Sequence, residues 1–442
     1  MLDLLDEIAE TAVAPDLSPR RYGRVSACDG TVIEVTGLSL PVGSLCRIAH
    51  GRRQSHTAEV IGFRNGRTLM SLLGDAVLLR PGAFVHPFGQ PGALPVGPGF
   101  LGRAVDGTGH PIDGKDPISA RAWWPANGYR SGALERASVR EPFDSGIRAI
   151  NAVATMGVGQ RIGVVAGSGV GKSVLMDMIA QGADADVVVL GLIGERAREV
   201  SDFVAHHMHG ETARRTAIVA VPADHAPNLR LRGALLATSL AEYFRSQGAR
   251  VLLVLDSLTR VAHAAREIGL LLGENGSARG YPPSALATIT KLVERAGNSR
   301  TSGGSMTGIY TVLADGDDHN DPVVDTARAI LDGHIVLSRE IAQNGRYPAI
   351  DVSASLSRVM DDIVSPEHVE QARELRALVA SYEANRDLML MGAYQPGRDP
   401  QVDRAMAMHG PIEGFLSQRR SEQAYLADTT EKLTALMSHG QS

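Results

Sequence analysis

The run Ala166-Gly-Ser-Gly-Val-Gly171-Lys172-Ser173 has the composition and spacing to bind a polyphosphate. It follows a β-type apolar stretch, residues 161–166, and opens a helical pattern over 172–181. In that context a glycine-rich loop curls backbone N–H groups around phosphate oxygens at the positive end of a helix. Gly167, Ser168, Gly169, Val170 and Gly171 would form the cradle. Lys172 would reach the β/γ-phosphates and the Ser173 hydroxyl would ligate Mg²⁺. Ala166 departs from the strict pattern, which has glycine there, by one methyl group, small enough for the loop to close. Magnesium also needs a carboxylate nearby, and Asp256, ending the run 251–255, supplies one through water. Hydrolysis needs a group that orients and deprotonates water. Glu195, just past the run 187–193, fits best, with Glu199 the second choice and Arg196 a contact for the γ-phosphate. The competing readings make Asp256 a helix N-cap and Glu195 a carboxylate placed against a helix dipole.

These side chains need a sheet whose strands end together. Strand-like runs at 161–166, 187–193, 217–221, 251–255, 308–313 and 334–337 alternate with helical patterns at 172–181, 196–209, 232–247 and 323–331. Such alternation predicts a mostly parallel sheet with helices on both faces, an α/β core. Residues 20–88 read instead as short strands, among them 31–35, 58–61 and 76–79, split by Asp29-Gly30, Asn65-Gly66 and Pro81-Gly82. That pattern predicts a small β-barrel. A Pro/Gly segment at 89–99 marks a boundary, and residues 100–145 read as a turn-rich approach to the core. Beyond Ser365 the periodicity is helical, with breaks expected at 396–400 and at Gly410-Pro411. The domains expected are a partner-binding amphipathic helix at 1–18, a barrel at 19–90, the nucleotide-binding core at 91–362 and a helical domain at 363–442.

Composition narrows the function. With 44 Lys and Arg against 49 Asp and Glu, the net charge is −5, no footprint of a non-specific nucleic-acid binder. Residues 1–90 carry nine basic and nine acidic side chains and only Tyr22, Phe63, Phe84 and Phe88 as aromatics, which argues against an RNA translocase. Apolar runs are too short for a membrane span, and residues 1–19 hold five acids and no base, unlike a secretory signal, so a cytoplasmic protein is expected. Cys28 and Cys46 cannot make a disulfide framework and read as small buried residues. His206-His207-x-His209 reads as a solvated face rather than a metal site. No Asn-Lys-x-Asp element occurs, which favours ATP over GTP.

Longer motifs carry a family resemblance. Pro348-Ala-Ile-Asp351-Val-Ser-Ala-Ser355-Leu-Ser357-Arg358 resembles the signature of rotary ATP synthase α/β subunits, as does Gly194-Glu-Arg-Ala-Arg-Glu199. Tyr281-Pro-Pro-Ser, Tyr310-Thr-Val-Leu-Ala-Asp-Gly-Asp-Asp with Asn320-Asp-Pro, and Leu331-Asp-Gly-His-Ile-Val-Leu-Ser-Arg339 resemble the type III protein-export ATPases, most of all the flagellar branch. The resemblance implies a RecA-like P-loop core with an N-terminal small β-barrel and a C-terminal α-helical domain. It implies a homohexameric ring hydrolysing ATP with Mg²⁺ to drive unfolding and export of flagellar proteins.

Residue by residue, Lys172, Ser173, Glu195, Arg196 and Asp256 match the family's catalytic and metal positions. Tyr347 matches a ring that stacks on adenine, and Arg358 an arginine finger reaching the neighbouring subunit's site. The implied partners are a regulatory stator-like protein at the N-terminal helix, a coiled-coil stalk protein in the central channel, export-gate proteins, chaperones and export substrates. No nucleic acid is among them, and the implied place is the cytoplasm, peripheral to the inner membrane at the flagellar base. One departure stands out. Export ATPases carry Glu-Pro-Pro before the Gly-Tyr-Pro-Pro-Ser loop, whereas here Glu274 is followed by Asn275-Gly276, in a loop expected to face the channel. The alternatives are an injectisome ATPase, a catalytic subunit of a proton-translocating ATP synthase, and a non-catalytic nucleotide-binding subunit, the last disfavoured by Glu195.

Overall fold

The structure, a computed structural model, describes residues 22–439 apart from 51–53, 75–78, 130–131, 168, 209, 278 and 314–320. The acidic segment 1–18, Ser168, His209, most of the run 76–79, the whole Asp-Gly-Asp-Asp run 315–318 and Asn320 therefore lie outside the described residues. The chain divides into two compact units, residues 1–91 and 92–442.

The first unit is a closed barrel of β1 (Gly23–Asp29), β2 (Val32–Thr36), β3 (Leu45–His50), β4 (Gln54–Arg64), β5 (Arg67–Leu72) and β6 (Phe84–Phe88), in the order β1-β2-β5-β4-β3-β6. Asp29 pairs with Val32 and Arg64 with Arg67, so the turn signals make two-residue hairpins. Alternate residues such as Ile33, Val35, Ile48, Val60, Met70 and Val85 fill the interior. Cys46 joins them, and burial pushes its thiol up to about 12. Cys28 does not. It is exposed on β1, in the stretch Ser26–Asp29 that is exposed throughout, at a bulge where the register with β2 shifts between Val25 and Ala27.

The second unit is built on a sheet of β7 (Arg103–Val105), β8 (Arg161–Ala166), β9 (Val187–Ile193), β10 (Thr216–Val221), β11 (Arg250–Asp256), β12 (Ser305–Leu313), β13 (Gly333–Leu337) and β14 (Ile350–Ser357). Their order is β14-β13-β8-β12-β11-β9-β10-β7, and every neighbouring pair is parallel except β13 with β14. The turn-rich approach thus contributes an edge strand. The Pro/Gly boundary segment is ordered beyond Pro91: Ala93–Val96 pairs with Ala122–Pro125, and Leu94 and Val96 are fully buried.

Both faces of the sheet are covered. Val188, Leu190 and Leu192 face a core shared with α2 (Lys172–Gly182), after α1 (Arg148–Val153). Gly191 lies against Leu255 and against Ala237 of the long helix α4 (Pro227–Ser246), which follows α3 (Ala197–His207). Near-continuous apolar strands are what two-sided burial requires. Leu253→Ala, at a fully buried central position, should cost about 2–5 kcal/mol of stability, read as a lower urea midpoint.

α5 (Leu258–Leu271) and α6 (Pro283–Val293), like α1, form outside the expected helical patterns, whereas α7 (Pro322–Ile330) lies on the one expected at 323–331. The C-terminal region is α8 (Pro366–Leu390), α9 (Pro400–Leu416) and α10 (Leu426–His439), and its Met408, Ile412, Leu416 and Leu433 belong to the same apolar core as the sheet. The break expected at Gly410-Pro411 is absent, because α9 runs straight through it. Val402, Ala405, Met408, Ile412 and Leu416 form one buried stripe across the site, whereas Pro411 and Ala407, four residues before it, are exposed. The hydrogen bond that proline removes is thus on the wet side, where water can take the freed carbonyl.

Candidate active site

Three parallel strands end at one edge of the sheet and deliver the chemistry there. β8 runs into the glycine loop, whose Gly171 takes a φ of 89°, a left-handed conformation that side chains other than glycine resist. The turn releases α2 with Lys172 as its first residue. β9 runs into Gly194, where an added Cβ would lie 2.7 Å from Cβ of Arg260, and then Glu195. β11 ends in Asp256.

The side chains converge. The Lys172 ammonium donates to Glu195 Oε1 at 2.9 Å and to Asp256 Oδ1 at 2.6 Å. Asp256 Oδ1 also accepts from the Thr311 hydroxyl at 2.5 Å, because register sets Tyr310 beside Leu255 and so Thr311 beside Asp256. Lys172 and Asp256 are buried. Burial alone would lower the Lys172 pKa, but Asp256 and Glu195 raise it above the ordinary lysine value. Burial, then the Asp256 charge, pushes the Glu195 carboxyl up against the pull of Lys172. A carboxyl raised in this way is suited to take a proton near neutral pH.

Ser173, Glu195, Glu199 and Asp256 line one cavity of about 250 Å³. A hydroxyl and a carboxylate facing the same space suit a hard cation that completes its shell with water and phosphate oxygens, so the residues fit Mg²⁺. Among the described residues no cluster of three or more His, Cys, Asp or Glu could hold a metal.

Gly167, Gly169, Val170 and Gly171 occupy the loop between β8 and α2 as expected. Tyr347 is brought close: its ring lies 3.6 Å from where a Cβ on Gly171 would sit, and it is half-exposed on a second cavity of about 600 Å³. That cavity is also lined by Arg148, Ser417, Gln418 and Arg420. Arg196 does not join the cluster. As N-cap of α3 it turns outward, with its side chain 83% exposed and Glu199 at 3.3 Å. Arg358 is not brought in either. It is exposed past the end of β14 and donates to the Arg328 carbonyl at 3.2 Å.

Three features escaped the sequence reading. Thr311 holds Asp256, and only strand register shows it. The Arg260 stem packs on Gly194, and an arginine one helical turn past Asp256 was the available signal. Of the histidines expected on a solvated face, His206 is exposed but His207 is buried, with Nε2 3.0 Å from Asp177. No helix among the described residues is long and apolar enough to cross a membrane.

Comparison with known proteins extends this geometry. The ATP synthase alpha/beta family nucleotide-binding domain matches residues 146–357, and the type III secretion EscN ATPase C-terminal domain matches residues 364–435. A flagellum-specific ATP synthase of Pseudomonas aeruginosa is 45% identical over 434 residues, covering 98% of this chain and 96% of that one. A type 3 secretion system ATPase of Xanthomonas euvesicatoria is 41% identical over 437 residues, covering 98% of each. The assembled ATPase EscN of the enteropathogenic E. coli type III secretion system superposes with a TM-score of 0.87 at 38% identity, over 94% of this chain and 99% of that one. EscN in complex with its central stalk EscO gives 0.86 at 37%, with the same coverage.

Proposed function

The chain belongs to the flagellum-specific ATP synthase family, on the type III export branch of the ATP synthase α/β group, and is an ATPase of that class; from that premise we propose the following course for its reaction. The loop 167–171 and the N-terminus of α2 hold the ATP phosphates, and Lys172 turns its ammonium from the carboxylates to the β/γ-oxygens. Ser173 and, through water, Asp256 would hold Mg²⁺, which when bound would offset phosphate charge. Glu195 orients a water in line with the γ-phosphorus and takes its proton as the new O–P bond forms and the bond to the β-phosphate oxygen breaks. ADP and phosphate leave. Tyr347 offers its ring to adenine, Arg196 swings in to the γ-phosphate, and Arg358 of the neighbouring subunit stabilises the transferring group.

The observation that carries this reading is the ammonium of Lys172 held between Glu195 and Asp256 at the ends of parallel strands. Work follows assembly: a homohexameric ring with a stalk protein in its channel, at the cytoplasmic face of the inner membrane beneath the flagellum. The ring and stalk are supported by the assembled EscN structures. The regulatory stator-like protein, export-gate proteins, chaperones and export substrates complete the set of partners.

Phosphate release from ATP by the purified protein should vanish when EDTA removes Mg²⁺ and return when Mg²⁺ is restored. Protein that neither binds nor splits ATP with Mg²⁺ present would overturn the reading. Deleting the gene should abolish swimming through loss of flagellar export. A strain that still swims but no longer secretes through a virulence needle would favour the injectisome alternative.

A further inference from the structure

Asp177, five residues after Lys172 on α2, is buried and carries a cluster of partners that the proposed chemistry does not use. Its Oδ1 accepts from Gln181 at 2.7 Å and lies 3.0 Å from His207 Nε2 and 3.5 Å from His206 Nε2. Its Oδ2 accepts from Nε and Nη2 of Arg420 at 3.0 and 2.8 Å. Burial by itself would raise the Asp177 carboxyl, but His207, Arg420 and Gln181 outweigh it and hold it at about 2. The carboxylate is therefore charged at any working pH, and its partners compensate it where water does not.

The position of Arg420 gives the cluster a consequence. Arg420 lies in the connection between α9 and α10, which is fastened on the Tyr347 side: the Gln418 N–H donates to the Tyr347 carbonyl at 2.9 Å, and Arg148 donates to the Ser417 carbonyl at 2.8 Å. Arg420 borders both cavities, the one holding Ser173 and Glu195 and the one holding Tyr347. Its guanidinium thus bridges the connection that walls the Tyr347 cavity to the helix that presents Lys172.

We propose that Arg420, clamped by Asp177, is a positioning residue that sets the span between the Tyr347 wall and the phosphate loop, and so the affinity for nucleotide. The inference rests on reading this site as the ATP site. A ligand reaching from Tyr347 to Lys172 binds best when that span is held before it arrives, because the ordering cost is then already met. The effect falls on binding rather than on the bond-breaking step, since Arg420 acts through the connection and not on the reacting atoms.

The test uses the full-length protein, with fluorescent ADP binding, ATP titration of hydrolysis, and thermal midpoints. Arg420→Ala should raise Kd and KM about tenfold, the size of one lost charge-assisted hydrogen bond, with a smaller change in kcat. Arg420→Lys should recover most of the affinity. Asp177→Asn should reproduce the Arg420→Ala defect, and the double variant should be no worse than either single one. If Arg420→Ala does not fold, Asp177→Asn and Arg420→Lys carry the same comparison. Wild-type Kd and KM in these variants would sink the proposal. So would a loss of kcat alone that tracks a fallen thermal midpoint, or fully additive single effects. A wild-type protein that binds no nucleotide would instead overturn the reading of the site.

Discussion

Glu195→Gln is expected to lower kcat by roughly 10²-fold or more while nucleotide still binds. The amide is nearly the same shape, and its oxygen can still accept from Lys172, now 2.9 Å from the Glu195 carboxylate. What is lost is the capacity to take a proton from water. Removing one of two carboxylates beside the site also lessens repulsion of the phosphates, so affinity for ADP should hold or rise. Phosphate release and fluorescent-nucleotide binding measured on one preparation separate the two effects. The pH profile adds a second signature. Only the ionised carboxylate is a base, and burial with the Asp256 charge raises the pKa of Glu195. The rate should therefore fall, as pH drops, at a value above the ordinary glutamate pKa of about 4.3, and the residual rate of the glutamine variant should lack that limb. Turnover within a few-fold of wild type would remove Glu195 from its assigned role.

Arg358→Ala carries the other large expectation, a loss of about 10³-fold in kcat with nucleotide binding intact. Within its own chain Arg358 is poorly placed to act. It follows β14, two strands away from β8 in the sheet order, a lateral offset of roughly 10 Å, and it borders neither cavity. An exposed guanidinium past an edge strand, donating to the Arg328 carbonyl at 3.2 Å, is available to a neighbouring subunit. Mixing Arg358→Ala with Lys172→Ala therefore provides the sharp test. Each should be inactive alone, yet mixed rings would pair an intact phosphate loop with an intact arginine across some interfaces, and hydrolysis should return in part. No recovery on mixing would place the effect of Arg358 within its own subunit.

The clamp and the arginine finger would act at different steps. Arg420 meets Asp177 within one chain and should move KM, whereas Arg358 should move kcat and make it depend on protein concentration. Measuring both variants across ATP and protein concentration distinguishes a nucleotide-span effect from an assembly effect without further structure.

The amino-acid order by itself determined the phosphate loop, the carboxylates waiting past two apolar runs, the barrel and the alternating core. All of these are written in contacts between near neighbours. A glycine at left-handed φ, a turn dipeptide, or an apolar stretch too continuous for anything but a doubly covered strand acts within a few residues. Only the folded chain decided which distant side chains meet. Thr311 reaches Asp256 through strand register, and Arg420 reaches Asp177 across 243 residues. His207 lies inside against Asp177, Arg196 turns out to solvent, and α9 continues through Pro411 because its buried stripe does. Each outcome depends on the order of strands and on which helix face is buried, and both are set by the packing of the whole core rather than by any local run of residues.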